Sequence, residues 1–480
     1  MSQRHLDRLT ALDASFLHQE GPESHMHIGG LTTFDAPPPT FDELIALIGS
    51  RLHLVPRYRQ RLVRTPLDRG RPVWIDDAAF RLEYHVRHVA LPEPGDRDQL
   101  LTLLSRIFST QLDRRRPLWE LWFVEGLAGG GFAFIFKTHH AVIDGIAGVD
   151  LATVIFDLES QDEPEPEPTE QPDWTPGRRP GLLELLALGA ARDARDSLGL
   201  VTGALAAGAH PQRAARRLLD AAGGIGEIAW AALNPAPDTP LNVPIGPHRR
   251  FVAVAGRLED FKTIKNALGG TVNDVVLAVV TGALREFLQS RGVRTGGLEL
   301  RALVPVSLRG ASGGGDVIGN QLAAMRATLP VYIADPLARL EAVRVSMEGI
   351  KESRQALGAE VLAGVQNFAP PTVLAQASRI NFSPRLFNLL VTNLPGPQVP
   401  LYVLGREIRE VYPIAFLPRD HALAVAIMSY NGQMNFGLLA DSQVLPELDQ
   451  IGGWVSSAVE ELLALARSSP RAPADQADGG

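Results

Sequence analysis

The chain contains no cysteine. Disulfides, thiolate metal sites, iron–sulfur clusters and a cysteine nucleophile are thereby excluded. It also lacks any uncharged apolar run of about 18 residues, which argues against a membrane-spanning helix. Basic charge is not in excess either: Lys and Arg number 46 against 54 Asp and Glu, a net charge of −8. Such a balance provides no global field to draw in nucleic acid, so no nucleic-acid partner is expected. The opening stretch "MSQRHLDRLTALDASFL" has no unbroken apolar core of the signal-peptide kind, which makes the cytoplasm the default compartment.

What is present is ordinary for a soluble globular protein, with 45% hydrophobic and 21% charged residues. A length of 480 residues implies more than one domain, because single cores seldom grow past roughly 250–300 residues. The clearest break is "ESQDEPEPEPTEQPDWTPGRRP", residues 159–180, whose prolines and carboxylates suit an exposed, extended linker. After it comes an Ala- and Leu-rich stretch to about residue 233 with helical periodicity. Mixed α and β signals occupy 1–158 and resume over 251–467, and residues 468–480 read as a disordered tail. The organisation is therefore two α/β halves joined by a connection, 159–250, that includes helices.

The first half carries a hairpin signal. "LWELWFVEGL" and "FAFIFKTHH" are apolar, aromatic-rich runs around "AGGG", a turn that supplies positive φ freely. Alternation along the second run places Phe132, Phe134, Phe136, Thr138 and His140 on one face, and Ala133, Ile135, Lys137 and His139 on the other. The run ends in "KTHHAVIDG", residues 137–145, followed by a helix-like pattern. His140 thus stands at a strand-to-helix connection, where catalytic groups of α/β proteins gather.

Three readings of this motif compete. A metal site needs converging ligands, whereas adjacent residues on an extended strand point apart, and the spacing is not the two-histidine helical pattern of zinc peptidases. Two satisfied polar groups under a loop is the bland reading. The third is a general base: a neutral imidazole takes a proton from a hydroxyl near pH 7 and returns it to a leaving group. Asp144 followed by the flexible Gly145 suits a structural role in holding the loop.

"HHAVIDG" resembles the HHxxxDG motif of the bacterial wax ester synthase/acyl-CoA:diacylglycerol acyltransferase family. The likeness runs through nearly the whole chain, from "LTALDASFLHQEGPESHMHIGGL" through "VPRYRQRL", "RRRPLWELW", "TVNDVVLAVVTGALR", "LVPVSLR", "GNQL" and "VTNLPGP" to "SYNGQMNFGLLAD", in the family's order. Leu394 departs from it where valine often stands. The resemblance implies two chloramphenicol-acetyltransferase-like α/β domains with a tunnel and active site between them. It implies that His140 is the general base, that His139 supports the loop, and that Asp144 points away from substrate toward an arginine, for which Arg59 is the candidate. Acyl-CoA would be a co-substrate, with no cofactor or metal, and the acceptor would be diacylglycerol or a long-chain alcohol. Asn393 is a candidate oxyanion donor. Asn273 and Asp274 match a second family motif, while the spacing of Thr271 and Asp274 equally fits a helix cap. The tryptophans of "PLWELW" read as packing or as neighbours of the acyl tunnel.

Two other functions compete. "GASGG", residues 310–314, formally fits a serine-esterase nucleophile at Ser312, but the Gly-rich sequence after it lacks the required helix. A non-catalytic lipid-body-binding protein is the other, and it leaves the intact histidine motif unexplained. Lipid substrates also suggest peripheral attachment to a membrane or lipid inclusion. In residues 181–233, Arg213, Arg216 and Arg217 fall on one side of a helical pattern, suited to anionic headgroups, or the segment simply packs on the domains.

Overall fold

The computed structural model describes residues 7–64, 71–143, 151–160, 174–181, 183–185, 234–307, 322–352 and 382–469. Two six-stranded mixed sheets organise them. The first runs β11-β12-β1-β6-β5-β4, with β1 His27–Phe34, β4 Val86–Ala90, β5 Trp119–Glu125, β6 Phe132–His139, β11 Tyr402–Val403 and β12 Arg406–Ile414. The second runs β7-β14-β13-β10-β8-β9, with β7 Arg249–Arg257, β8 Leu300–Ser307, β9 Leu322–Leu329, β10 Leu389–Pro395, β13 Leu423–Tyr430 and β14 Gln433–Asp441. A small β2–β3 pair, Gln60–Val63 and Val73–Asp76, stands apart.

The β5–β6 hairpin forms as its sequence predicts, antiparallel from Trp119 opposite Thr138 to Val124 opposite Ala133. Gly129 and Gly130 in its turn have φ of 82° and 78°, a conformation that costs other residues energy. The first sheet is not built from the N-terminal half alone. β12, far along the chain, pairs antiparallel with β1 from Gly29 opposite Ile414 to Phe34 opposite Ile408. β12 also crosses β14 of the second sheet at Gly437, where a Cβ atom would lie 1.9 Å from the Pro413 carbonyl oxygen. Only glycine allows that approach.

Helices α1 Ala11–Gln19, α2 Phe41–Arg51, α3 Leu82–His85 and α4 Arg97–Phe108 belong to the first half. Short helices α5 His140–Ile143 and α6 Leu151–Ile155 follow β6. Helices α7 Leu258–Leu268, α8 Val272–Ser290, α9 Pro336–Glu352 and α10 Leu448–Ser468 belong to the second half, and α8 packs against both α9 and α10. α8 is the core helix, buried continuously from Asp274 to Leu284.

α4 ties the halves together. Its Leu100, Leu104, Ile107 and Phe108 are buried in one cluster with Leu31, Ala133 and Ile135 of the first sheet and with Phe251 of the second. Its Ser109 Oγ accepts the Arg249 N–H at 2.8 Å and its Ser105 Oγ accepts the Phe251 N–H at 3.0 Å. These hydroxyls satisfy edge-strand donors that would otherwise be open for pairing.

Candidate active site

β6 delivers the histidine pair to the seam between the halves. The strand ends at His139, whose N–H donates to the Leu118 carbonyl at 3.0 Å, and the chain turns at once into α5. The N–H of His140 donates to the Met26 carbonyl at 3.0 Å. Met26 has φ of 52°, and holding a non-glycine residue there costs about 1–2 kcal/mol. That strain aims its carbonyl at the first residue of α5.

The helical turn corrects the facing expected from strand alternation. Phe132, Phe134 and Phe136 lie in the core of the first domain. His140 does not join them. Its ring stacks on Phe16 of α1, centroids 3.9 Å apart and planes at 24°, and meets Phe416 edge-on at 5.5 Å. Phe382 completes the box, 6.0 Å from Phe16 and 5.9 Å from Phe416. Both sequence halves thus supply walls around this imidazole. Its surface is partly open, yet the dense apolar surroundings lower its pKa from 6.5 to about 4, burial being the cause. It is therefore neutral at pH 7, and Nδ1 has no hydrogen-bond partner among the described residues.

His139 sits in different company. It is fully buried, and its Nδ1 accepts the Ala141 N–H at 3.0 Å. Burial first, then the charges of Arg114 and His140, lower its pKa to about 3. Its Nε2 lies 3.6 Å from the Glu20 carboxylate, which Arg114 Nε also engages at 2.5 Å. Nearby, Lys137 is buried with its ammonium donating to the carbonyls of Ile107 at 2.8 Å and Thr110 at 2.6 Å. Burial lowers its pKa to about 8.

The other sequence candidates divide clearly. Asn393 on β10 donates from Nδ2 to Asn273 Oδ1 on α8 at 3.2 Å, so these two meet. The bond leaves one Asn393 amide hydrogen for another acceptor. Asp274 forms the cap its spacing predicts: Oδ2 accepts the Thr271 N–H and hydroxyl, both at 2.8 Å, and Thr271 Oγ1 accepts the Asp274 N–H at 3.2 Å. Arg59 lies over the Trp174 ring at 5.1 Å. Asp144, Gly145 and Ser312 lie outside the described residues, as do Arg213, Arg216 and Arg217. Trp119 is buried and donates from Nε1 to the Tyr58 carbonyl at 2.8 Å, a packing role. Sequence reasoning did not single out Phe16, Phe382, Phe416 or Glu20. Phe16 and Glu20 stand inside the family-like N-terminal stretch, but no local pattern reveals that they approach residues 139 and 140.

Two sheet-rich α/β halves with a histidine pair at their seam define the fold of chloramphenicol-acetyltransferase-like acyltransferases. The first condensation domain of the calcium-dependent antibiotic synthetase shares that fold, with a TM-score of 0.56 at 17% identity over 97% of each chain. The chain itself belongs to the wax ester synthase/diacylglycerol acyltransferase family, whose catalytic domain matches residues 9–276 and whose C-terminal domain matches residues 318–463. A Mycobacterium tuberculosis protein described as "probable diacylglycerol O-acyltransferase" is 33% identical over 468 residues, 96% of this chain and 97% of its own. The wax ester synthase/diacylglycerol acyltransferase of Marinobacter aquaeolei superposes with a TM-score of 0.65 at 28% identity, covering 96% of this chain and all of that one. The chain is accordingly an acyl-CoA-dependent acyltransferase.

Proposed function

We propose that the protein transfers a long-chain acyl group from CoA to the hydroxyl of diacylglycerol or a long-chain alcohol, with His140 as the general base. The observation that carries this reading is the His140 imidazole itself: neutral, partly exposed as a residue, and clamped between Phe16 and Phe416 with walls from both halves of the chain. His140 takes the hydroxyl proton as the acceptor oxygen attacks the thioester carbonyl. The tetrahedral intermediate carries an oxyanion, and its collapse expels CoA thiolate, which receives the proton from His140. The spare Asn393 amide hydrogen is the proposed oxyanion donor, a contact worth about 3–4 kcal/mol when well placed. Burial makes the imidazole a weak base before the reaction. The oxyanion forming beside it raises its pKa in the transition state, when the proton must be held. Asp144 and Gly145, outside the described residues, keep the structural role that the family resemblance assigns them, and the proposed reaction is written without a cofactor or metal.

The aromatic walls suit an apolar chain better than a polar acceptor. A panel of acceptors offered with one long-chain acyl-CoA tests the reading. Diacylglycerol or a long-chain alcohol is expected to accelerate CoA release, and both responses are expected to vanish in His140→Ala. CoA release that is indifferent to acceptor, or that survives this substitution, refutes it.

Such substrates partition into lipid, so the enzyme is proposed to work peripherally, at the inner face of a membrane or a lipid inclusion. Among the described residues no single helix is long and apolar enough to cross a bilayer. The α7–α8 pair is long and apolar enough only when taken together across a 99° bend, and α8 is the buried core helix. Binding to anionic vesicles in flotation, weakened when Arg213, Arg216 and Arg217 become Glu together, is the expected result. Equal flotation of parent and triple variant rejects that segment.

A further inference from the structure

Behind the histidine pair lies a carboxylate that the chemistry above does not use. Glu20 is the C-terminal cap of α1, and its side chain is only 2% exposed. Arg114 grips it, reaching from Nε to Oε2 at 2.5 Å and with a second, closer contact from the same guanidinium. His27 Nε2 lies 3.8 Å from Oε1, and His139 Nε2 lies 3.6 Å from Oε2. A buried carboxylate is expensive even when paired, which asks what it does there.

The hydrogen bond on the far side of the His139 ring supplies the answer. Nδ1 accepts the Ala141 N–H, so in the neutral ring the proton resides on Nε2. That Nε2 is buried, has no hydrogen-bond partner among the described residues, and faces the Glu20 carboxylate. In the opposite tautomer a lone pair would face the negative charge, and the Ala141 N–H would lose its acceptor. A separation of 3.6 Å exceeds a hydrogen bond, so the carboxylate acts on the ring through its negative charge, which favours a proton on the nearer nitrogen. Ala141 directly follows His140 in the first turn of α5.

We infer that Glu20 is a positioning residue of the acyl-transfer site: its carboxylate holds His139 in the Nε2–H tautomer, and His139 then fixes the turn that presents His140. The inference rests on His140 as the general base for its kinetic consequence, but not for the tautomer. Glu20 also anchors α1 through Arg114, which donates to the Leu17 carbonyl at 3.1 Å, and α1 carries Phe16. A purely structural role through α1 is the competing explanation.

The test compares Glu20→Gln and Glu20→Leu, alone and combined with His139→Asn. Gln can set an amide oxygen where Oε2 stands, whereas Leu cannot. Heteronuclear NMR of the histidine ring nitrogens, with His139 assigned by its absence from His139→Asn, is expected to show the Nε2–H tautomer in the parent and in Glu20→Gln. It is expected to show loss of that tautomer in Glu20→Leu. For Glu20→Leu, kcat should fall roughly tenfold or more with the acyl-CoA KM within about twofold, and Glu20→Gln should recover most of the loss. In the His139→Asn background, Glu20→Leu should cost nothing further, since coupled residues are non-additive. Should Glu20→Leu fail to fold, Glu20→Leu/Arg114→Leu removes the stranded cation and carries the same comparison. An unchanged tautomer in the Leu variant, or losses that multiply in the double variant, overturns the inference. Activity surviving in His140→Ala instead overturns the general-base reading and leaves the tautomer result intact.

Discussion

His139 and His140 share a peptide bond and almost nothing else. One imidazole ends a strand, wholly buried, beside an arginine-bound carboxylate. The other begins a helix, partly open, packed between phenylalanines. Both are neutral at pH 7 because burial penalises their charge. What separates them is setting: the His139 ring is tied to the Ala141 N–H and faces a carboxylate, while the His140 ring is walled by phenylalanines from both halves of the chain. A doubled histidine in sequence is thus two parts with two jobs, the support and the base, and the division comes from where the strand stops.

The sharpest way to break this comparison is to remove each ring in turn. His140→Ala is expected to lower kcat/KM by about 10²–10⁴, the usual worth of a positioned base. Its melting temperature should move by only ~2–4 °C. His139→Ala is expected to cost less activity and more stability, about 1–3 kcal/mol, because the buried Ala141 N–H is stranded. Equal kinetic losses with unchanged melting would erase the distinction. A smaller effect follows from opening the aromatic box. Phe16→Ala admits water beside His140 and relieves its desolvation, so its pKa should rise from about 4 toward 6.5. The acid limb of kcat/KM should move to higher pH by the same amount, with a several-fold loss at pH 7 from poorer orientation. An acid limb that stays put would mean that Phe16 does not set the environment of His140.

The smallest effect is on stability alone. His139 has a folded pKa of about 3 against about 6.5 unfolded, so the unfolded chain binds more protons between those values. Stability contributed by keeping it neutral is complete above about pH 6.5. It is lost on acidification at about 1.4 kcal/mol per pH unit. Chemical denaturation at pH 7 and pH 5 should show a steeper loss in the parent than in His139→Asn, the difference being this one-histidine slope below about pH 6.5. An identical slope would assign the acid sensitivity to the other buried histidines.

Much of this arrangement was legible from residues close together in the chain. The β5–β6 hairpin announced itself by apolar runs around glycines, and the α8 cap by Thr271 and Asp274, because those features are decided locally. Family likeness singled out Asn273 and Asn393 separately, but nothing in the sequence said that they meet. The side on which His140 lies was misjudged because alternation holds only while the strand continues, and it stops one residue sooner. The aromatic box and the Glu20–His139 approach were illegible for a different reason. They join residues from α1, β6 and the second half of the chain, and contacts made by tertiary packing leave no spacing to read.

One such long-distance junction has a consequence for the newborn chain. β1 finds its partner β6 early, but its other edge pairs with β12, so Gly29 must wait for Ile414 to leave the ribosome. At about 5–20 residues per second that delay is roughly 20–80 s. Throughout it β1 offers an unpaired edge bearing "HIGGLTTF", a segment without charge apart from its first histidine. Open edges of this kind are templates for pairing between chains. Slowly translated or overproduced protein is therefore expected to lose soluble yield through this edge, and an N-terminal half expressed alone is expected to aggregate unless the β11–β12 segment is supplied in trans.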